Sequence, residues 1–113
     1  MAVVMSLEWP GVTLEDYDRV MGALGLDAEP PAGGVFHVSG AEGGALRIFD
    51  IWESEDAWNS FREGRLMPTL QELGLMDKGQ PNVRVYTVHN LFAPMPDELS
   101  RLGASSSLTG AAA

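Results

Sequence analysis

A histidine and an aspartate stand in two neighbouring segments whose side chains alternate as they do in β-strands. His37 lies in the segment 35–40, and Asp50 lies among large apolar residues in the segment 45–52. A carboxylate beside an imidazole fixes the tautomer of the ring, which is how a general base is oriented. We therefore predict that His37 and Asp50 form a catalytic pair.

Whether the two side chains meet depends on the register of the hairpin. If Gly40 pairs with Ala45, His37 faces Ile48, and His37 and Asp50 are diagonal neighbours on one face. A register change of one residue would place the two on opposite faces. The alternative is a histidine satisfied by structural hydrogen bonds, with Asp50 as a buried polar anchor.

His89 is the second histidine, and with His37 and Asp50 it has the composition of a two-histidine, one-carboxylate iron site. The predicted strand order puts the strands that carry the two histidines at opposite edges of the sheet, about 14 Å apart. We therefore predict no metal site. His89 is interpreted as a hydrogen-bonding residue at a strand end.

Aromatic residues could form the wall of a site for a small molecule. Trp52 shares the face of Asp50 and Ile48, and the following turn brings Trp58 back toward it. Phe61 and Arg65 continue the same helix. The predicted substrate-binding residues are Trp52, Trp58, Ile48, Phe61 and Arg65. The alternative is that the aromatic rings belong to the core and that the arginine is solvated.

The elements that must position these residues follow from periodicity and turn signals. They are a strand at 2–9, a helix at 14–24, strands at 35–40 and 45–52, a helix that begins at Glu55 and kinks before Pro68, and a strand at 83–90. This order predicts an α+β, ferredoxin-like βαββαβ domain over residues 1–92, with an antiparallel sheet and both helices on one face. Residues 93–113 are predicted to be a C-terminal extension with a short helix and then a flexible tail.

Both faces of the predicted sheet carry large apolar side chains. On the third strand Leu46 and Ile48 point to one face, whereas Phe49 and Ile51 point to the other. Two helices cover only one of the faces, and an open apolar face favours association with a second copy. We expect a homodimer in which two sheets close into an α+β barrel.

Composition restricts the class of protein further. The 113 residues have a net charge of −9 and no cysteine. Such a charge disfavours nucleic acid as a partner, and the absence of cysteine excludes disulfides and thiolate ligands. No apolar run approaches the length of a membrane span and no signal peptide is evident, so a cytoplasmic protein without a membrane partner is expected.

The segment Trp-Glu-Ser-Glu-Asp-Ala-Trp at 52–58 resembles the signature at the strand-three to helix-two junction of antibiotic-biosynthesis-monooxygenase-like proteins. The resemblance covers residues 1–92 and implies a dimeric α+β barrel. In the quinone-forming members a pocket is lined by an asparagine, a tryptophan and an aromatic residue, which fall here on Ile48, Trp52 and Trp58. The family hosts cofactor-free oxygenation, lactone isomerisation and haem degradation.

Residues and resemblance together predict a small dimeric enzyme that acts on a hydrophobic, aromatic or polyketide-like molecule. The reaction would be proton abstraction without a cofactor, leading to monooxygenation, isomerisation or cyclisation. The alternative is a non-catalytic dimer that binds a small molecule or acts as an accessory protein. A His37–Asp50 pair that opens onto a pocket favours the enzyme, whereas a pocket filled by side chains favours the accessory protein.

Overall fold

A computed structural model describes residues 1–103, which form one four-stranded antiparallel sheet with helices against it. The strands are β1 (Val3–Pro10), β2 (Gly34–Glu42), β3 (Ala45–Trp52) and β4 (Asn82–Thr87), and the α-helices are α1 (Leu14–Leu24), α2 (Glu55–Phe61) and α3 (Met67–Glu72). A π-helical turn spans Arg62–Leu66, and 3₁₀-helices span Leu75–Lys78 and Pro96–Arg101. The strand order β2-β3-β1-β4 confirms the ferredoxin-like prediction. The predicted tail, 104–113, lies outside the described residues.

The core lies between the sheet and the helices. Alternate residues of β1 are buried there, because successive side chains of a strand point to opposite faces. The buried core consists of Val3, Met5, Leu7, Trp9, Val12, Val20, Leu24, Leu46, Trp52, Trp58, Leu70 and Leu75. Helix side chains from α1, α2 and α3 belong to this cluster, so the three helices cover one face of the sheet.

The β2–β3 hairpin has a tighter turn than the sequence analysis assumed. Gly43 and Gly44 both have positive φ, 61° and 76°, which is the backbone of a two-residue type I′ turn. The strands therefore extend to the pair Glu42–Ala45, and the predicted Gly40–Ala45 pairing is wrong by two residues. Because two residues are one full period of a strand, the side chains from Phe36 onward keep their predicted faces, whereas Val35 falls at an irregularity in the pairing.

The first helix is fixed at both ends. Thr13 and Asp16 form a capping box, in which each side chain accepts a hydrogen bond from the backbone N–H of the other at 3.0–3.1 Å. Lys78 binds the same Asp16 carboxylate at 2.9 Å. Gly25 ends the helix with a φ of 61°, which a glycine adopts without strain. The position of α1 against the sheet is thus tied to the 3₁₀-helix before β4.

The predicted kink in the second helix is confirmed as a π-helical turn. Pro68 has no N–H, and its ring would clash with the preceding turn of a regular helix. The wider turn at Arg62–Leu66 carries a bond from the Met67 N–H to the Arg62 carbonyl, after which α3 begins with the proline in its first turn. One continuous helical arm therefore runs from Glu55 to Glu72.

The second face of the sheet is not covered by helices. Val38, Phe49 and Tyr86 point to it and are 41–49% exposed. An open groove of about 780 Å³ lies along this face between Val38 on β2 and Arg84 on β4. Within residues 1–103, no helix is long and apolar enough to cross a membrane.

The contacts of Asp16 predict a pH-dependent stability. Its hydrogen bonds with Lys78 and the Thr13 backbone lower the pKa of Asp16 below the ordinary 3.8, so this carboxylate stabilises the fold above that value and less as pH falls through the folded pKa. We expect Asp16→Asn to cost about 1 kcal/mol near neutral pH. The free energy of unfolding, measured with urea, should differ less between Asp16→Asn and the parent in strong acid than near neutral pH. Asp18→Asn, an exposed neighbour, is the control, and a difference that is constant with pH would contradict the assignment.

Candidate active site

His37 and Asp50 are direct partners across the β2–β3 ladder. The His37 Nδ1 atom lies 2.6 Å from Oδ1 of Asp50. The predicted contact is confirmed, although the two residues are opposite each other rather than diagonal. Since the carboxylate can only accept, Nδ1 carries the proton and Nε2 is the acceptor nitrogen of the neutral ring.

Asp50 is a buried carboxylate whose two oxygens are both engaged. Its side chain is 7% exposed, whereas that of His37 is 38% exposed. The second oxygen, Oδ2, accepts a hydrogen bond from the Trp52 indole N–H at 3.1 Å. A buried charge without partners would be strongly unfavourable, so these two bonds stabilise the carboxylate and hold its plane.

Tyr17 is a member of the site that the sequence analysis missed. Its hydroxyl lies 2.5 Å from Nε2 of His37, and the two ring planes are parallel within 3°. On α1 this residue has the spacing of a core position, and it does pack against the core. The only signal in the sequence was a phenol on a helix that covers the histidine's face of the sheet.

The environment keeps the Tyr17 phenol protonated. Burial raises its pKa above the ordinary 10.0, and the negative charges of Asp50 and Asp18 act in the same direction. A side-chain hydrogen bond with Ser39 acts in the opposite direction. The neutral phenol is therefore a hydrogen-bond donor to Nε2, and an ordered chain runs from Trp52 through Asp50 and His37 to Tyr17.

The residues predicted to form an aromatic wall pack instead as a closed cluster next to the hydrogen-bonded series Trp52–Asp50–His37–Tyr17. Trp52 and Trp58 are 3% and 4% exposed, with ring centroids 5.7 Å apart. Phe61 is 5.3 Å from the Trp52 ring and 6.4 Å from the Trp58 ring. The three side chains occupy the space between β3 and α2, and Trp52 joins the cluster to Asp50.

The other two predicted substrate-binding residues, Arg65 and Ile48, lie outside the aromatic cluster. The Arg65 guanidinium donates to the Leu24 carbonyl at 3.0 Å and lies 5.7 Å from the Phe61 ring centroid. It satisfies one of the free carbonyls at the end of α1, an arrangement that the helix dipole favours. Ile48 is partly buried against the core and borders the groove on the opposite face.

His89 lies beyond the end of β4, and β4 and β2 are the two edges of the sheet. The predicted separation of the two histidines within one chain follows from this topology. Among residues 1–103, no three His, Cys, Asp or Glu side chains are grouped so that they could hold a metal ion.

Comparison with known proteins gives similarity in structure rather than in sequence. No family model and no curated protein matches the chain. A protein of unknown function from Nitrosomonas europaea has a TM-score of 0.63 at 15% identity, over 82% of this chain and 94% of that one. A variant of SnoaB, a cofactor-independent oxygenase from Streptomyces nogalater, has a TM-score of 0.60 at 13% identity, over 80% and 95%.

A third similar structure is the ActVA-Orf6 monooxygenase of Streptomyces coelicolor, solved in complex with nanaomycin D. Its TM-score is 0.56 at 22% identity, over 81% of this chain and 91% of that one. At these identities the similarity establishes the fold. Each comparison covers more than nine-tenths of the other protein, so the similarity extends over that protein's complete fold.

The aromatic cluster predicts a large structural effect for one substitution. Because Trp58 is almost fully buried against two aromatic rings, Trp58→Ala should lower the free energy of unfolding by about 3–5 kcal/mol. Trp58→Phe, which keeps an aromatic ring, is the control and should cost much less. A loss below about 1 kcal/mol for Trp58→Ala in urea unfolding would show instead that the ring borders open space.

Proposed function

We propose that this chain, which has the fold of the antibiotic-biosynthesis-monooxygenase-like proteins, is an enzyme that abstracts a proton from a hydrophobic aromatic or polyketide-like molecule. His37 supplies the basic group and Asp50 orients it. The reaction needs no cofactor, and the resulting carbanion or phenolate then reacts with O₂, isomerises or cyclises.

One observation carries the proposal, namely the contact of a buried carboxylate with a half-exposed imidazole. Asp50 lies on β3, between β1 and β2, whereas His37 lies on the edge strand β2, where a small molecule can approach. The 2.6 Å bond stabilises the imidazolium that forms when the base accepts a proton. A purely structural aspartate could be satisfied by neutral hydrogen-bond donors alone, whereas the imidazole can also accept a proton.

The oxygenation step balances without a redox cofactor. Deprotonation of an activated CH₂ beside a carbonyl gives a delocalised carbanion, whose electrons reduce O₂. One oxygen atom of O₂ becomes the carbonyl oxygen and the other leaves as water with the two hydrogens of the CH₂, so the substrate itself is the reductant. The protein's task is confined to removing and returning protons.

The aromatic class of substrate is supported by two observations. The Trp52–Trp58–Phe61 cluster packs directly behind the proposed acid–base group and makes its surroundings apolar, which suits a hydrophobic substrate. The similar monooxygenase from Streptomyces coelicolor binds nanaomycin D. In this proposal five residues shape the site, namely Trp52, Trp58, Ile48, Phe61 and Arg65. The two tryptophans and Phe61 do so by packing behind Asp50.

A homodimer is part of the same proposal. The exposed side chains of Val38, Phe49 and Tyr86 form an apolar surface on the helix-free face, and the face-to-face packing of two sheets would bury it. The partner's sheet would also close the 780 Å³ groove into an enclosed cavity. We take the protein to act in the cytoplasm without a metal, nucleic acid or membrane.

A non-catalytic binding or accessory dimer is the second candidate. It is favoured by the burial of Trp52 and Trp58, because their rings fill the space that a substrate would otherwise occupy. The two candidates differ in whether a bound ligand is deprotonated. An aromatic probe that quenches tryptophan fluorescence without proton exchange would support the accessory protein.

Proton abstraction can be measured with anthrone, an aromatic ketone whose CH₂ is activated by its carbonyl. In deuterated buffer without O₂, the protein should accelerate deuterium uptake into that CH₂, as followed by mass spectrometry. His37→Gln should reduce the acceleration by about a hundredfold or more, and Asp50→Asn should reduce it as well because the ring loses its orientation.

The matched control is His89→Gln, which changes the histidine at the other edge of the sheet and should keep the rate of the parent. Admission of O₂ should then convert anthrone to anthraquinone only in proteins that exchange the proton. Equal exchange rates in His37→Gln and the parent would disprove the proposed base.

The dimer is tested by light scattering at micromolar concentration. The expected mass is about twice the monomer's 12.1 kDa, and Phe49→Glu should return the monomer because it places a charge in the apolar surface. Leu14→Glu is the control, since Leu14 is similarly exposed but lies on α1, on the other side of the sheet. A parent that scatters as a monomer would disprove the barrel.

A further inference from the structure

We infer that Tyr17 is the residue that exchanges a proton with the substrate, and that His37 and Asp50 act through its phenolic oxygen. This inference rests on the proposed function and changes which atom meets the substrate. It follows from the hydrogen bonds among Trp52, Asp50, His37 and Tyr17, which already occupy the acceptor atoms of Asp50 and His37.

Both nitrogens of His37 have partners. Nδ1 is bonded to Asp50, and the only other nitrogen, Nε2, is met by the Tyr17 hydroxyl at 2.5 Å. A neutral imidazole has one donor and one acceptor, so no lone pair of this ring is left for a substrate. A substrate proton could reach Nε2 directly only if Tyr17 moved away.

Asp50 is closed to a substrate as well. One oxygen is bonded to His37 and the other to the Trp52 indole, and the side chain is buried. The Tyr17 oxygen is different, because a phenol that donates its proton can still accept one. It is therefore the terminal atom of these hydrogen bonds, and the one that can accept a substrate proton while the Trp52–Asp50 and Asp50–His37 bonds stay in place.

The geometry suits a proton transfer between Tyr17 and His37. The ring planes are parallel within 3°, and the centroids are 5.8 Å apart. The hydroxyl lies 2.5 Å from Nε2, a distance at which a proton can pass between the two atoms.

The transfer balances in protons and charge. The Tyr17 proton passes to Nε2 while the substrate's C–H or O–H proton passes to the Tyr17 oxygen. The products are a substrate anion, a neutral phenol and an imidazolium paired with the Asp50 carboxylate. Reversal of the same two transfers returns a proton to the product. Concerted movement is favoured, because burial makes a free tyrosinate unfavourable at this position.

The test compares Tyr17→Phe, His37→Gln and the double variant in the anaerobic anthrone exchange. If the proton must pass through both Tyr17 and His37, the loss of either residue stops the transfer. Both single variants should therefore lose the acceleration to the same extent, and the double variant should lose no more. Tyr86→Phe, which changes the tyrosine on the opposite face, is the control and should keep the rate of the parent.

The outcomes separate the inference from the proposed function. If Tyr17→Phe exchanges as fast as the parent or faster, His37 takes the proton directly, which overturns the inference and leaves the proposed function intact. If the parent gives no acceleration over buffer, both are overturned. Unchanged quenching of tryptophan fluorescence by anthrone in Tyr17→Phe would show that the loss is not one of binding.

A second measurement tests the shielding of Nε2 without any substrate. In a His89→Gln background, His37 is the one histidine that diethyl pyrocarbonate can modify, and its modification is followed by the ultraviolet absorbance of N-carbethoxyhistidine. Removal of the Tyr17 hydroxyl should accelerate the modification severalfold, whereas Tyr86→Phe should not. Equal rates with and without the hydroxyl would show that Nε2 is open, and would overturn the inference.

Discussion

The structure depends on how one buried carboxylate is satisfied. Asp50 is 5% exposed in the middle of a central strand, where an unpaired charge would be strongly destabilising. Its two oxygens require an imidazole on the neighbouring strand and an indole two residues along its own strand. The β2–β3 register, the rotamer of Trp52 and the tautomer of His37 are all constrained by that requirement.

The same requirement joins the stabilising and functional parts of the molecule. Trp52 packs with Trp58 and Phe61 in the core and donates its N–H to Asp50, so the aromatic cluster fixes the carboxylate that contacts His37. A tryptophan that resembles a substrate-contacting residue by sequence therefore also holds the carboxylate. Buried aromatic rings lose little conformational freedom, which makes such a support rigid.

The two faces of the sheet carry different groups of residues. The helix-covered face carries the core and the Tyr17–His37–Asp50 chain, and the other face carries exposed apolar side chains and an open groove. Since strand side chains alternate, neighbours such as Asp50 and Phe49 contribute to opposite faces. The proposed dimer would use the second face without disturbing hydrogen bonds on the first.

Local sequence determined the order of the elements and the faces of the strands. Turn glycines, helix caps and alternation act over a few residues, so they placed α1, the kink at Pro68 and the common face of His37 and Asp50. The shared face survived a register error of two residues because strand periodicity is two.

Tertiary packing decided what meets the imidazole. Tyr17 is twenty residues from His37, and only the docking of α1 against the sheet brings its hydroxyl to Nε2. Packing also decided that the tryptophan rings fill the space beside α2, since side-chain volumes from several elements determine whether a cavity persists. Periodicity places a residue on a face, but the partner it meets there depends on how distant segments pack.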